Sequence, residues 1–398
     1  MHFQAQTRLQ FIIFMLVCAA FTNIYITQPV LPVLRQDFNT DLVMVSFTVS
    51  AVVLGIALAN LPFGLISDKF PVRPVIATGG TAIVLCGLIC AATDNLNVLI
   101  AARFVQGIFV PSLTTCIVAW LSRSLPPEKL NVVMGAYVSA TVAGGLGGRL
   151  LGGWAFSPEH WRYAFVATSL FTLIAFSLAL YGLPRDKRAK SDPKAPAVRY
   201  IQLVRQWPLL RLYLCALSGF GIFSSVFNFL PFHLTQSPFA FTTEDTTLLY
   251  LVYLTGVMIG PLTGKLSNRI GSGNTLLTGA AVLCVSLLML LLPSVLAVTA
   301  GLILLCAGFF TIHAAAVGAL NSKLTGGQGR ANALYTLFYY VGGWAGITLS
   351  SLLYKHFGWN TLVGVLLLLL IIPVTAGCFE RRFSPRGAVQ IIAQPDQD

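Results

Sequence analysis

The sequence predicts an all-α membrane protein: twelve transmembrane helices in two pseudo-symmetric six-helix bundles. Three observations point there. Only 10% of the 398 residues are charged while 56% are hydrophobic, and mean hydropathy is +0.80; an average soluble domain carries about 25% charge. Apolar stretches recur without the alternation of barrel strands, and each has the roughly 20-residue length of a helical crossing. The two halves of the chain also resemble each other at a shift near 200 residues. This composition excludes a soluble enzyme, a disordered chain and a nucleic-acid-binding protein.

Taken in order, the spans run near 9–34, 44–66, 74–93, 97–120, 131–155, 162–183, 209–232, 246–264, 274–292, 297–320, 331–354 and 360–379. The first is too long for a signal-peptide core and lacks a small-x-small cleavage site. Pro293 alone separates the ninth from the tenth. The polar, basic stretch between spans six and seven reads as a linker. It divides the chain into an N-terminal bundle at 1–183, a linker at 184–208, a C-terminal bundle at 209–380 and a tail at 381–398. Every Lys and Arg except Arg35, Arg103, Arg149, Arg162 and Lys355 falls on the side of the N-terminus. Positive charge marks the cytoplasmic side, so both termini are expected in the cytoplasm of a bacterial cell, with the bilayer of its inner membrane as surroundings. The formal charge of +12 then faces anionic lipid rather than nucleic acid. The eight cysteines lie in apolar stretches with no CxxC pair, so they read as small hydrophobes and not as metal ligands. No sequence feature indicates a cofactor.

The repeat shows in short echoes. Gly64-Leu-Ile-Ser-Asp68-Lys69 follows span two, and Gly264-Lys-Leu-Ser-Asn268-Arg269 follows span eight. Trp161 opens span six and Trp359 precedes span twelve, while Gly152-Gly153-Trp154 is matched by Gly342-Gly343-Trp344. Two such repeats place a substrate cavity between them at mid-membrane. Four motifs extend the pattern: Gly64 to Arg73 between spans two and three; Arg103-Phe-Val-Gln106-Gly107 in span four; Gly135, Gly144, Gly148-Arg149 and Gly152-Gly153 in span five; and Gln28-Pro29-Val-Leu-Pro32 at the end of span one. With these motifs the whole chain resembles the major facilitator superfamily, and His160-Trp161-Arg162 with Gly148-Arg149 looks like its drug- and sugar-efflux, arabinose-efflux-permease-like branch. The resemblance implies an alternating-access carrier, commonly monomeric. It implies that Asp68, with Gly64, Lys69 and Arg73, gates the cytoplasmic side against the start of span eleven near Asn332. It also implies that the span-five glycines act as an antiporter motif, although Arg149 stands where Pro is usual. Pro71 and Pro74 replace the family's usual Gly and basic residue, so this loop should be stiffer.

Several residues carry candidate chemistry. Arg103 and Arg149 each sit about 9 Å inside an outer helix end, where a lipid-facing cation is costly. Each reads as an anion site or a proton relay. The competing readings are a hydrogen-bond hub with Gln106 and backbone carbonyls for Arg103, and a snorkel to the headgroups for Arg149. Asp37, just past span one, is placed to pair with either as a protonatable group. His313 in span ten reads as a proton or substrate group, or as a structural hydrogen-bond donor. Asn23, Tyr25 and Gln28 in span one, Tyr137 in span five, Ser224, Phe227 and Asn228 in span seven, and Tyr335 and Tyr339 in span eleven are further cavity candidates, because pockets are lined by a few polar groups among aromatics. Ordinary helix packing accounts for any one of them equally well. The spans contain no Asp or Glu near a helix centre, so the cavity reads as neutral to positive.

The expected function is therefore proton-coupled efflux of a small neutral or anionic organic compound. Its partners are that substrate, the proton as coupling ion and the lipid bilayer. The alternative is proton-coupled uptake, or facilitated transport, of an organic anion. A membrane-embedded enzyme is disfavoured because His313 has no His, Asp or Glu three or four residues away.

Overall fold

The computed structural model describes residues 2–154, 158–183, 200–324 and 328–383. The linker residues 184–199 and the tail from 384 onward, with the basic residues they contain, lie outside the described residues. Among the described residues the regular structure is entirely helical.

The N-terminal part contains α1 (His2–Tyr25), α2 (Leu31–Asp37), α3 (Leu42–Lys69), α4 (Val72–Ala92), α5 (Leu96–Leu113), α6 (Thr115–Ser124), α7 (Pro127–Gly153) and α8 (Trp161–Gly182). The C-terminal part contains α9 (Tyr200–Arg205), α10 (Trp207–Leu234), α11 (Thr243–Leu249), α12 (Leu254–Ile270), α13 (Ser272–Met289), α14 (Val295–Ser322), α15 (Gln328–Leu369) and α16 (Ile371–Phe383). Helix starts follow the local chemistry. Asp41 caps α3 by accepting from the Met44 N–H at 2.8 Å, and Asn95 caps α5 by accepting from the Asn97 N–H at 2.9 Å. Thr242 and Asp245 form a reciprocal capping box at the start of α11. The Thr242 hydroxyl and N–H both donate to Asp245 and hold its carboxyl below the usual range.

Four boundaries depart from the expected spans. Span one ends at Tyr25, and α2 is separate, because Pro29 and Pro32 interrupt the ladder. Span four breaks at Thr114, three residues after Pro111. Span eight begins with α11 and a 3₁₀ turn over Tyr250–Tyr253. Spans eleven and twelve merge in α15, where Gly358 takes φ 75° and ψ −173° and kinks the helix; only Gly adopts that conformation without strain. Among the described residues nine stretches are long and apolar enough to cross a membrane, and the 55 residues of Gln328–Arg382 have length for two passes. Glycine-rich α7 and the 17-residue α12 fall short by those measures. The outward faces carry large apolar side chains, such as Leu85, Leu88 and Ile89 on α4 and Leu170, Leu173 and Ile174 on α8, as lipid contact requires.

The chain packs as two compact units. The first is Met1–Ser191 with Leu230–Gln236 and Ala240–Leu251; the second is Asp192–Phe229, Ser237–Phe239 and Val252–Asp398. The last turns of α10 and all of α11 thus pack with the first unit.

Candidate functional site

In the first unit, α7 lies against α1 with almost no side chain between them. A Cβ at Gly144, Gly148 or Gly152 would overlap the carbonyl oxygens of Cys18, Thr22 and Ile26 respectively. Both sets step by four residues, so one glycine face tracks one row of carbonyls. Gly153 continues the contact against Thr247 and Pro29. Gly135 does not take part, since a Cβ there meets nothing within 4 Å. The second unit repeats the seam: Gly342 stands on the Leu217 carbonyl and Gly346 on that of Gly221.

The seam positions Arg149. Its Nε donates to Gln28 Oε1 at 2.7 Å and its Nη1 to the Gly145 carbonyl at 2.6 Å. The guanidinium carbon stands 3.9 Å from the Tyr25 ring centroid and 5.4 Å from that of Tyr250. Arg149 is 1% exposed, which corrects the expectation of a headgroup snorkel. Close helix approach draws the side chain into the unit.

Arg103 is fully buried. It donates to the carbonyls of Thr48 (2.9 Å), Asn23 (2.6 Å) and Ile24 (2.7 Å), and to Gln106 Oε1 (2.9 Å). Gln106 in turn donates to the Ile83 carbonyl. This is the hub geometry: one side chain ties α5 to α1 and α3, and through Gln106 to α4. Its named donors are committed to protein, so it does not present a substrate clamp. Asn23 donates to the Ala19 carbonyl and to Thr172 Oγ1, both at 2.8 Å.

Asp37 pairs with neither arginine. It accepts from Trp161 Nε1 at 2.8 Å and lies 3.5 Å from Arg162, whose other terminal nitrogen meets Asp94 at 2.7 Å. The carboxylate is anchored at the rim because Trp161 opens α8 beside it. Asp68 likewise turns away from Lys69 and Arg73. It accepts from Arg123 at 2.8 Å, while a second Arg123 nitrogen reaches the Ser67 carbonyl. Arg73 donates to the Leu180 carbonyl and Lys69 is exposed. A Cβ at Gly64 would meet nothing within 4 Å. In the second unit Asn332 exchanges hydrogen bonds with Asn321 at 2.8 and 3.2 Å.

Asp68→Asn is expected to leave membrane insertion intact and to slow transport. Insertion should survive because an exposed pair contributes only about 0–1 kcal/mol. Arg123→Ala should reproduce the slowing, without addition in the double variant. Full activity in both, measured by substrate flux in vesicles, would remove the gating role.

His313 belongs to an aromatic cluster within the second unit. Its Nδ1 lies 3.0 Å from the Tyr335 hydroxyl, and its ring contacts Phe309, Tyr335 and Tyr339. Tyr339 stacks on Phe220 at 3.8 Å, and Phe309 on Phe223 at 4.2 Å. Asn228 is buried on α10, and Tyr137 is half-buried on α7.

Sequence reasoning missed one cluster. Glu380 on α16 is 2% exposed; it meets Arg211 of α10 at 3.2 Å and Lys323 beyond α14 at 2.9 Å. The available signal was a single acid within Phe379-Glu380-Arg381-Arg382 at a helix end, which by itself resembles a solvated charge.

Apolar crossing helices in two repeats, each built on a glycine seam and holding polar side chains within its spans, define a membrane transporter of the alternating-access class. The profile of the Major Facilitator Superfamily matches residues 13–346, and the chain belongs to that family. It is a transporter and not an enzyme. The chain is 28% identical to the inner membrane transport protein YnfM of Escherichia coli over 362 residues, which is 90% of this chain and 87% of that protein. It is 32% identical to a multidrug resistance protein B homolog of Mycobacterium tuberculosis over 156 residues, 39% of this chain and 29% of that one. A bacterial homolog of the human lysosomal transporter Spinster, solved in an inward-facing and unoccupied conformation, shares the fold. Its TM-score is 0.76 at 15% identity, covering 96% of this chain and 97% of that one.

Proposed function

We propose that the chain exports a small neutral or anionic organic compound in exchange for protons, as a monomer in a bacterial inner membrane with both termini in the cytoplasm. The observation that carries this reading is the α1–α7 glycine seam with Arg149 set into it. It has the spacing of the antiporter motif, and its buried cation would disfavour a cationic substrate nearby. The relative named for multidrug resistance supports the outward direction. A second reading, uptake of an organic anion, draws on the same buried guanidinium of Arg149.

The test is a proteoliposome with an internal pH dye, challenged with cationic, neutral and anionic compounds under an imposed pH gradient. Proton flux with neutral or anionic compounds is expected. Flux with cations alone would overturn the substrate class, and accumulation in whole cells on expression would reverse the direction.

Within this reading His313 carries the coupling proton beside Tyr335 and Tyr339. His313→Gln keeps a hydrogen-bonding group and removes a side chain that can take up and release a proton. Proton flux should be lost, while exchange of labelled for unlabelled substrate persists. Coupled flux at the wild-type rate would exclude His313 as the carrier.

A further inference from the structure

Arg149 has surroundings of an unusual kind. Every group named around its guanidinium is one that recognises a cation: the π faces of Tyr25 and Tyr250, the Gln28 amide oxygen and the Gly145 carbonyl. The two tyrosines and Gln28 are at least nine-tenths buried. These groups come from α1 and the turn that follows it, from α7 and from the 3₁₀ turn after α11.

Packing does not demand this cation. The second unit builds the same seam, with Gly346 on the Gly221 carbonyl, and there the next residue is Ile347, 1% exposed. An apolar side chain completes the seam in one unit, whereas a guanidinium enclosed by π faces and acceptors completes it in the other. A box of this composition binds quaternary ammonium and guanidinium ligands in general. Here the chain supplies its own.

We infer that Tyr25, Tyr250, Gln28 and the Gly145 carbonyl form an organic-cation site that Arg149 occupies from within, so that Arg149 is a specificity residue excluding small organic cations. The inference rests on the proposed function only in naming cations as the excluded class. Removing the guanidinium should open the box to a free cation of similar shape.

The experiment is chemical rescue on the purified full chain in detergent. The Arg149→Ala protein is titrated with ethylguanidinium and, as a neutral isostere, with ethylurea, and thermal unfolding is followed. Ethylguanidinium should give a saturable upward shift of the midpoint that ethylurea does not. It should bind at least about tenfold more tightly than to the wild type, the ratio that about 1.4 kcal/mol provides. Tyr250→Leu in the Arg149→Ala background should abolish the shift. If Arg149→Ala is recovered only with ethylguanidinium present during purification, that rescue is itself the expected result, and Arg149→Gln serves for the titration. The inference is overturned if ethylurea acts equally, if the wild type responds equally, or if neither variant responds. Binding in detergent needs no gradient or direction, so its failure leaves the export reading standing. Export can likewise fail in the vesicle assay with the box intact.

Discussion

Glu380→Gln is expected to cost about 3–5 kcal/mol of stability, the penalty for leaving buried charge without its partner. Glu380 is enclosed with Arg211 and Lys323, whose side chains are only 8% and 15% exposed. Neutralising the one acid leaves two cations facing each other where water cannot screen them. The cluster joins α10, α14 and α16, so its loss should loosen that end of the second unit and lower the yield of folded protein. A triple change of Glu380, Arg211 and Lys323 to residues of similar size without charge should recover most of the loss, because apolar replacement of a complete buried cluster is often neutral or stabilising. Denaturant unfolding of the purified variants measures both. A Glu380→Gln protein as stable as the wild type would show that the cluster is hydrated in solution.

The second large effect separates glycines of one motif. Gly148→Ala should cost at least about 1–3 kcal/mol, as an overpacked core does, and Gly148→Val should prevent folding. The added atom meets the Thr22 backbone carbonyl, which cannot move without shifting α1. Gly346→Ala should fail in parallel against the Gly221 carbonyl. Gly135→Ala should instead be neutral or stabilising by up to about 1 kcal/mol, since Ala is the better helix former and its Cβ has open space. Retention of fold and transport on size-exclusion and flux assays reads the contrast. Equal damage at Gly135 and Gly148 would mean that the motif does not act through backbone contact.

The site was legible in part. Arg103, Gln106, Asn23 and Arg149 stood out because polar groups inside a crossing must be satisfied, and the structure places each among named partners. The partners of Asp37 were not legible. Arg103 and Arg149 sit at a suitable depth, but the residues that reach Asp37 are Trp161 and Arg162, more than 120 positions away. Depth along a helix follows from counting residues. Rotation about the helix axis, and hence which faces meet, does not. The same gap explains Asp68 with Arg123.

The sequence by itself determined that this is a helical membrane protein of repeated halves, and its family. Those features follow from bilayer thickness, backbone hydrogen bonding and local dihedral preference, all of which act over a few residues. Only the tertiary structure decided which glycines carry the seam, that Arg149 is enclosed by two tyrosines, and that Glu380 is buried between two cations. Those outcomes depend on how close two helices come and how each is rotated about its axis. Both are set by packing across the whole unit and by no local signal.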